Sequence, residues 1–209
     1  MSVVVAIKKD GKVYLGADSQ VTKGGTRQTL KNPNNYKIWK VKGTDHCLMA
    51  HVGTVRDANV VRIMDDVVDE LAAFHEEINY EYVVRDVVPH ILHQLRSFGF
   101  LAKEEGRAFS GMDSEFLFAY EDKLFHINSD GCVIEIDDSV AIGSGALEAI
   151  GSILSTSNAE KPGSRIVKAI KASAANDIYV DYPIILTNTE TTEFQVIYET
   201  KEPSSKGGN

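Results

Sequence analysis

The chain has 209 residues, 43% hydrophobic and 25% charged, with a formal net charge of -8 and a pI near 5.3. That composition is globular, and the length is enough to bury a sizeable core. The acidic balance argues against nucleic acid as a partner, because phosphate is repelled unless basic residues cluster. The densest basic stretch, Lys37-Ile38-Trp39-Lys40-Val41-Lys42, alternates like a strand with a solvated face. Cys47 and Cys132 form no disulfide framework; in apolar, strand-like settings they read as small buried thiols of a reducing compartment. The first residues lack a charged-then-apolar pattern, so no signal peptide is expected, and no apolar run approaches the roughly 18 residues of a membrane span. The expectation is a cytoplasmic protein.

Val3 to Lys8 and Lys12 to Ala17 are β-branched runs around Asp10-Gly11, a hairpin turn signal. The polar stretch TKGGTRQTLKNPNN carries the breakers Gly24-Gly25 and Asn32-Pro33-Asn34-Asn35 and is expected to be mostly loop. Strand signals return at Tyr36 to Val41 and Cys47 to Val52, ending at Gly53. From Thr54, an N-cap candidate with Asp57 in the first turn, the period becomes helical through Val60, Val61, Met64, Val67, Val68 and Leu71. A second helical pattern covers about Glu81 to Phe98, with Pro89 expected to kink or interrupt it. Strands follow at Glu115 to Tyr120, Lys123 to Asn128 and Cys132 to Ile136. Val140 to Ile142 then leads through Gly143-Ser144-Gly145 into a helix ending near Leu154. A helix over about Ser164 to Asn176 and strands at Pro183 to Thr187 and Glu193 to Tyr198 complete the pattern. Blocks of strands alternating with helix pairs predict an α+β protein: a four-layer αββα sandwich of two mostly antiparallel sheets between helical layers. One domain is expected over 1–199, with a disordered tail over 200–209.

Ser2 raises the chemical question. If Met1 is removed, Ser2 carries an α-amine beside its hydroxyl, and such an amine, with an ordinary pKa of about 7.7–8.0, is a base near neutral pH. Nucleophile and base then belong to one residue. A small second residue is also commonplace, and Asp18, ending the second strand in GADSQVT, reads equally well as a turn-holding aspartate. The hairpin can nevertheless return Asp18 beside Ser2. Lys37 can sit between them, lowering the proton affinity of the hydroxyl while Asp18 fixes the ammonium.

Ser2-Val-Val-Val-Ala-Ile, GADSQVT, YKI, HVGTVRDA, AIGSGALEA and NDIYVD, in this order, resemble the proteasome β-subunit and bacterial HslV family of N-terminal nucleophile hydrolases. The resemblance runs from Ser2 to about Tyr198 and implies roles position by position. Ser2 falls where the family has its catalytic terminal threonine, and Asp18 and Lys37 fall on its acidic and basic partners. Gly53 falls on the glycine whose N–H forms the oxyanion hole. Ser144 and Asp177 match the shell around the terminal amine. Thr22 and Val55 match positions whose backbone pairs with an extended substrate. Val21, Asn35 and His51 match the pocket for the side chain preceding the cleaved bond. Serine lacks the methyl that restricts the threonine rotamer. The segment before Lys37 is a few residues longer than usual. Val180-Asp181 replaces the family's small polar pair after Asp177.

The resemblance further implies homo-oligomeric rings, unfolded polypeptide or peptide substrates, a possible ATP-dependent unfoldase partner, and no cofactor, metal, nucleic acid or membrane. GSGALEAIG lacks the Lys-Ser/Thr of a phosphate loop and reads as a tight strand-to-helix turn. His90 and His93, with His75 nearby, have no evident metal-ligand partners and read as helix-surface histidines. Two rival functions keep the fold: a non-catalytic ring or scaffold subunit, and a small-molecule amidase. The first predicts loss of the Ser2, Asp18 and Lys37 set, which is present; the second expects substrate-binding insertions, which this short chain lacks.

Overall fold

The computed structural model describes residues 2–64, 77–101 and 111–199. Val67, Val68, Leu71, His75 and the expected tail lie outside the described residues. The strands form two five-stranded antiparallel sheets and a separate ribbon. The first sheet is ordered β10-β1-β2-β11-β12, built from Ser139–Gly143, Val3–Lys9, Lys12–Ala17, Ile184–Asn188 and Gln195–Ile197. The second is ordered β5-β6-β7-β8-β9, from Ile38–Lys40, Cys47–Gly53, Ser114–Tyr120, Lys123–Ile127 and Val133–Glu135.

Strand alternation divides the core into three apolar layers. Val4, Ala6, Leu15, Leu48, Ala50 and Leu117 pack between the sheets. The alternate residues Val3, Val5 and Ile7 of β1 face helices α3 (Ala146–Ser155) and α4 (Pro162–Asn176). On the other side, Met49, Phe116 and Phe118 pack against α1 (Val55–Ile63) and a helical stretch over 80–97, α2. The result is the expected αββα sandwich.

Pro89 does not break α2. Ahead of it the helix widens into a π turn over Val83–Val87, where the Val88 N–H donates to the Val83 carbonyl. Proline has no N–H, and its ring crowds the carbonyl four residues back; the wider turn accommodates both.

Two local expectations change, and a third holds by position but not by side-chain bonding. The stretch over 22–35, expected to be mostly loop, carries part of a hairpin: Gln20–Lys23 (β3) and Thr26–Thr29 (β4) form a ribbon. Its turn is Gly24-Gly25, with φ of 56° and 78°, the two-residue geometry that suits glycine pairs. Cys47 is buried, but Cys132 is exposed. The Cys132 N–H donates to Asp130 Oδ1 at 2.9 Å, holding the residue in the turn before β9. Thr54 occupies the N-cap of α1, yet its side chain makes no capping bond. Its N–H instead donates to Ser114 Oγ at 3.0 Å.

Candidate active site

The hairpin register brings the first pair of polar residues together. Val4 lies opposite Ala17, so the next positions outward, Val3 and Asp18, face each other. The Asp18 N–H donates to the Val3 carbonyl at 3.3 Å, and the Val3 N–H donates to Asp18 Oδ1 at 3.0 Å. Asp18 Oδ2 accepts the Gln20 N–H at 2.9 Å. Lys37, just ahead of β5, reaches across from the second sheet: its Nζ donates to Asp18 Oδ1 at 2.7 Å and to the Gln20 carbonyl at 2.6 Å. Ser2, Asp18 and Lys37 are 5%, 0% and 2% exposed. A buried ion pair persists only when its remaining hydrogen-bonding capacity is met, and here backbone groups help to meet it. Burial pulls the Lys37 ammonium below its ordinary pKa, with the nearby Asp18 and Asp177 carboxylates opposing that shift.

The end of β10 closes over residue 2. The Ser2 backbone nitrogen donates to Ser144 Oγ at 3.1 Å, and Ser144 Oγ donates back to the Ser2 carbonyl at 3.3 Å. Gly143 adopts φ 99°, and a Cβ there would fall 2.2 Å from the Ser2 carbonyl oxygen. Only glycine permits this approach. Gly53 has φ 115°, and a Cβ on it would fall 2.3 Å from the Asp113 carbonyl oxygen. Beyond it, Asp57 Oδ2 accepts the Asp113 N–H at 3.2 Å, fixing the start of α1 against β7.

A cleft of about 430 Å³ opens from this point. Its walls include Ser2, Lys37 and Gly53, together with all five predicted substrate-binding residues: Val21, Thr22, Asn35, His51 and Val55. Asp18 and Ser144 lie behind the wall, each one hydrogen bond from a lining residue. Asp177 is less closely tied. Its Oδ1 accepts the Tyr179 N–H at 2.8 Å, its Oδ2 is buried without a hydrogen-bond partner among the described residues, and no hydrogen bond joins it to Ser144. Val180, three residues on, offers no hydroxyl. It is 3% exposed, and its Cγ2 lies 3.2 Å from where a Cβ on Gly145 would stand.

Several participants escaped the sequence reading. Ser173, buried in α4, donates through Oγ to the Gly145 carbonyl at 2.7 Å and steadies the turn that holds Ser144. A serine among the alanines of KASAAND was the available signal. Ser114 anchors the residue after Gly53, and Gln20 Nε2 donates to the Ile178 carbonyl at 2.8 Å. Arg62, in the last turn of α1, also lines the cleft. Its guanidinium lies 4.9 Å above the Trp39 ring and donates to the Tyr36 carbonyl. Burial lowers its pKa to about 10, so it remains cationic at neutral pH. His51 is pushed down to about 3, first by burial and then by the Lys37 and Arg62 charges, and is therefore neutral.

Among the described residues no group of three or more His, Cys, Asp or Glu side chains is placed to hold a metal ion. Nor is any helix there long and apolar enough to cross a membrane.

A family model described as proteasome subunit matches residues 2–179, and the chain belongs to that family. It is 28% identical over 186 residues to the ATP-dependent protease subunit HslV of Caldicellulosiruptor saccharolyticus, covering 86% of this chain and 93% of that one. It is 24% identical over 189 residues to a proteasome subunit beta of Nanoarchaeum equitans, covering 88% and 90%. The fold matches Thiobacillus denitrificans BPH, solved in complex with epoxomicin, at a TM-score of 0.66 and 17% identity, covering 89% of this chain and 97% of that one.

Proposed function

We propose that the chain is a proteasome- and HslV-like peptidase subunit whose nucleophile is Ser2, acting once Met1 is removed. The observation that carries this reading is the convergence of Ser2 with the buried Asp18–Lys37 pair at one end of a cleft suited to an extended chain. The Ser2 hydroxyl passes its proton to the Ser2 α-amine as Oγ bonds to the peptide carbonyl carbon. The Lys37 ammonium favours the developing alkoxide, and Asp18 holds that ammonium in place. The Gly53 N–H receives the oxyanion. Breaking the C–N bond sends the proton from the ammonium to the leaving amine and leaves an ester on Ser2. Water then attacks the ester with the amine as base, restoring the serine. Ser144 orients the amine, and Asp177 adds negative charge nearby.

The substrate lies between Thr22 and Val55. Strand β3 pairs with β4 along one edge in a two-stranded ribbon, which supports strand addition along the other. Val21, Asn35 and His51 surround the side chain preceding the cleaved bond. The family relationship supports a homo-oligomeric ring in the cytoplasm acting on unfolded polypeptide. The HslV relative's description as ATP-dependent supports supply by a separate unfoldase.

Intact mass before and after incubation with epoxomicin, the compound in the Thiobacillus complex, tests the chemistry. The protein should lack one methionine and gain one adduct, and Ser2→Ala should gain none. A retained methionine with no adduct overturns the proposal in favour of a scaffold subunit.

A further inference from the structure

We infer that Ser114 is a positioning residue of the reaction proposed above: its hydroxyl fixes the peptide after Gly53 and so holds the Gly53 N–H where it receives the oxyanion. This rests on that reading of Gly53 and concerns how the donor is kept in place.

Gly53 is the last residue of β6. The His51 N–H donates to the Lys37 carbonyl at 2.9 Å, and N–H groups two residues apart on a strand point to the same edge. The Gly53 N–H therefore points to the edge where β5 has not yet begun, in a cleft wall that it shares with Lys37 and Ser2. That direction does not enforce itself. Gly53 has φ 115°, a conformation that glycine alone adopts readily and, lacking a Cβ, leaves as readily. Such a residue is held by the peptides on either side of it. The peptide before it lies within the β6–β7 ladder, where Val52 stands opposite Glu115. The peptide after it leaves the strand for α1, and there Ser114 takes over.

Ser114, the first residue of β7, stands opposite Gly53 and is 2% exposed. Its Oγ accepts the Thr54 N–H at 3.0 Å and donates to the Thr54 carbonyl at 3.4 Å. A Cβ on Gly53 would fall 2.8 Å from the same oxygen, so the hydroxyl packs directly against the glycine. Ser114 is anchored in turn, because the Asp113 N–H donates to the buried Asp57 carboxylate at 3.2 Å. Alanine would fill most of the space of Ser114 but leave the Thr54 N–H without this acceptor. The hydroxyl is the part that matters. Ser114 stands behind the cleft wall rather than in it, so it acts through Gly53.

Two measurements compare the parent with Ser114→Ala. The first is the rate of epoxomicin adduct formation on Ser2, followed by intact mass over a range of concentrations. The limiting rate should fall about 10-fold, less than the roughly 100-fold or more lost with an oxyanion donor itself. The half-saturating concentration should stay within about 2-fold, because the interaction is made only as the oxyanion forms. The second is hydrogen exchange at the Thr54 amide, which reads the anchor without any reaction. Exchange should be slow in the parent and at least about 10-fold faster in Ser114→Ala. An unchanged limiting rate, a loss carried by the half-saturating concentration, or an unprotected Thr54 amide in the parent overturns the inference. A parent that forms no adduct removes the peptidase reading and this inference with it; equal limiting rates in the two proteins remove this inference alone.

Discussion

Lys37 and Arg62 line the same cleft, but the protein treats the two cations differently. Lys37 is enclosed, 2% exposed, with Asp18 and the Gln20 carbonyl as acceptors. Arg62 has a ring beneath it, one backbone carbonyl, and buried donors without acceptors. A charge satisfied from within can be held rigidly beside a reacting atom, where it tunes reactivity without recruiting a ligand. A guanidinium packed on a ring, with two donors sealed from the cleft, is held by packing rather than by a counter-charge. The cleft thus holds two cations of the same sign, one enclosed with its counter-charge and one packed on a ring.

Breaking the pair at the reactive end should have the largest effect. Asp18→Ala leaves Lys37 buried without its counter-charge and removes the acceptor of the Val3 and Gln20 N–H groups. Breaking one partner of a buried pair costs about 3–5 kcal/mol. Urea denaturation should show a loss of that size, and labelling of Ser2 should disappear with it. If stability is unchanged, Lys37 is not held as described, and its contrast with Arg62 collapses.

How far this contrast was legible in the sequence follows from what each position depends on. The αββα order could be read because strand and helix periods repeat over whole elements. Asp18 could be placed beside Ser2 because Asp10-Gly11 fixes the hairpin, and the register then follows. The β3–β4 ribbon was missed although Gly24-Gly25 signalled it, because apart from Val21 its residues are polar on both faces and carry no alternation. Lys40 and Lys42 share one parity of the strand and are exposed, whereas Lys37 shares the parity of Trp39 and Val41 and is buried, where Asp18 meets it. Arg62 gave no local signal at all. At the last turn of a helix a basic residue is favoured by the helix dipole alone, and its role depends on Trp39, more than twenty positions earlier in the chain, lying beneath it. Asp177 shows the opposite limit: the motif around it was visible, yet its Oδ1 accepts only the Tyr179 N–H and its Oδ2 is buried without a partner among the described residues.

His51, close to both cations, offers a second, intermediate test. Its folded-state pKa of about 3 lies below the ordinary 6.5. As pH falls below about 6.5, the unfolded chain therefore takes up the proton first. His51 then contributes a loss of stability that continues down to about pH 3, at a slope of up to about 1.4 kcal/mol per pH unit. Carboxylates add their own acid dependence, so the measurement is a difference: urea midpoints from pH 7 to 4 should fall more steeply for the parent than for His51→Asn. Parallel curves would mean that burial and the two neighbouring cations do not shield His51 from protonation.

The smallest effect is expected where a cation is paired but exposed. Arg27 Nη1 meets Asp181 Oδ2 at 2.8 Å, tying the β4 strand to the loop after α4, with 64% of the Arg27 side chain exposed. The same loop is anchored independently, because the Asp181 carbonyl accepts the Ser19 N–H at 3.1 Å. Water and salt compete for such a pair, so Arg27→Ala should cost less than about 1 kcal/mol in urea denaturation and leave Ser2 labelling intact. The distances in the Arg27 and Lys37 pairs are nearly the same, so the two pairs differ in burial and in the backbone N–H groups that Asp18 also accepts. A loss after Arg27→Ala as large as that after Asp18→Ala would mean that pairing alone sets the worth of these charges. Enclosure would then no longer explain why Lys37 and Arg62 differ.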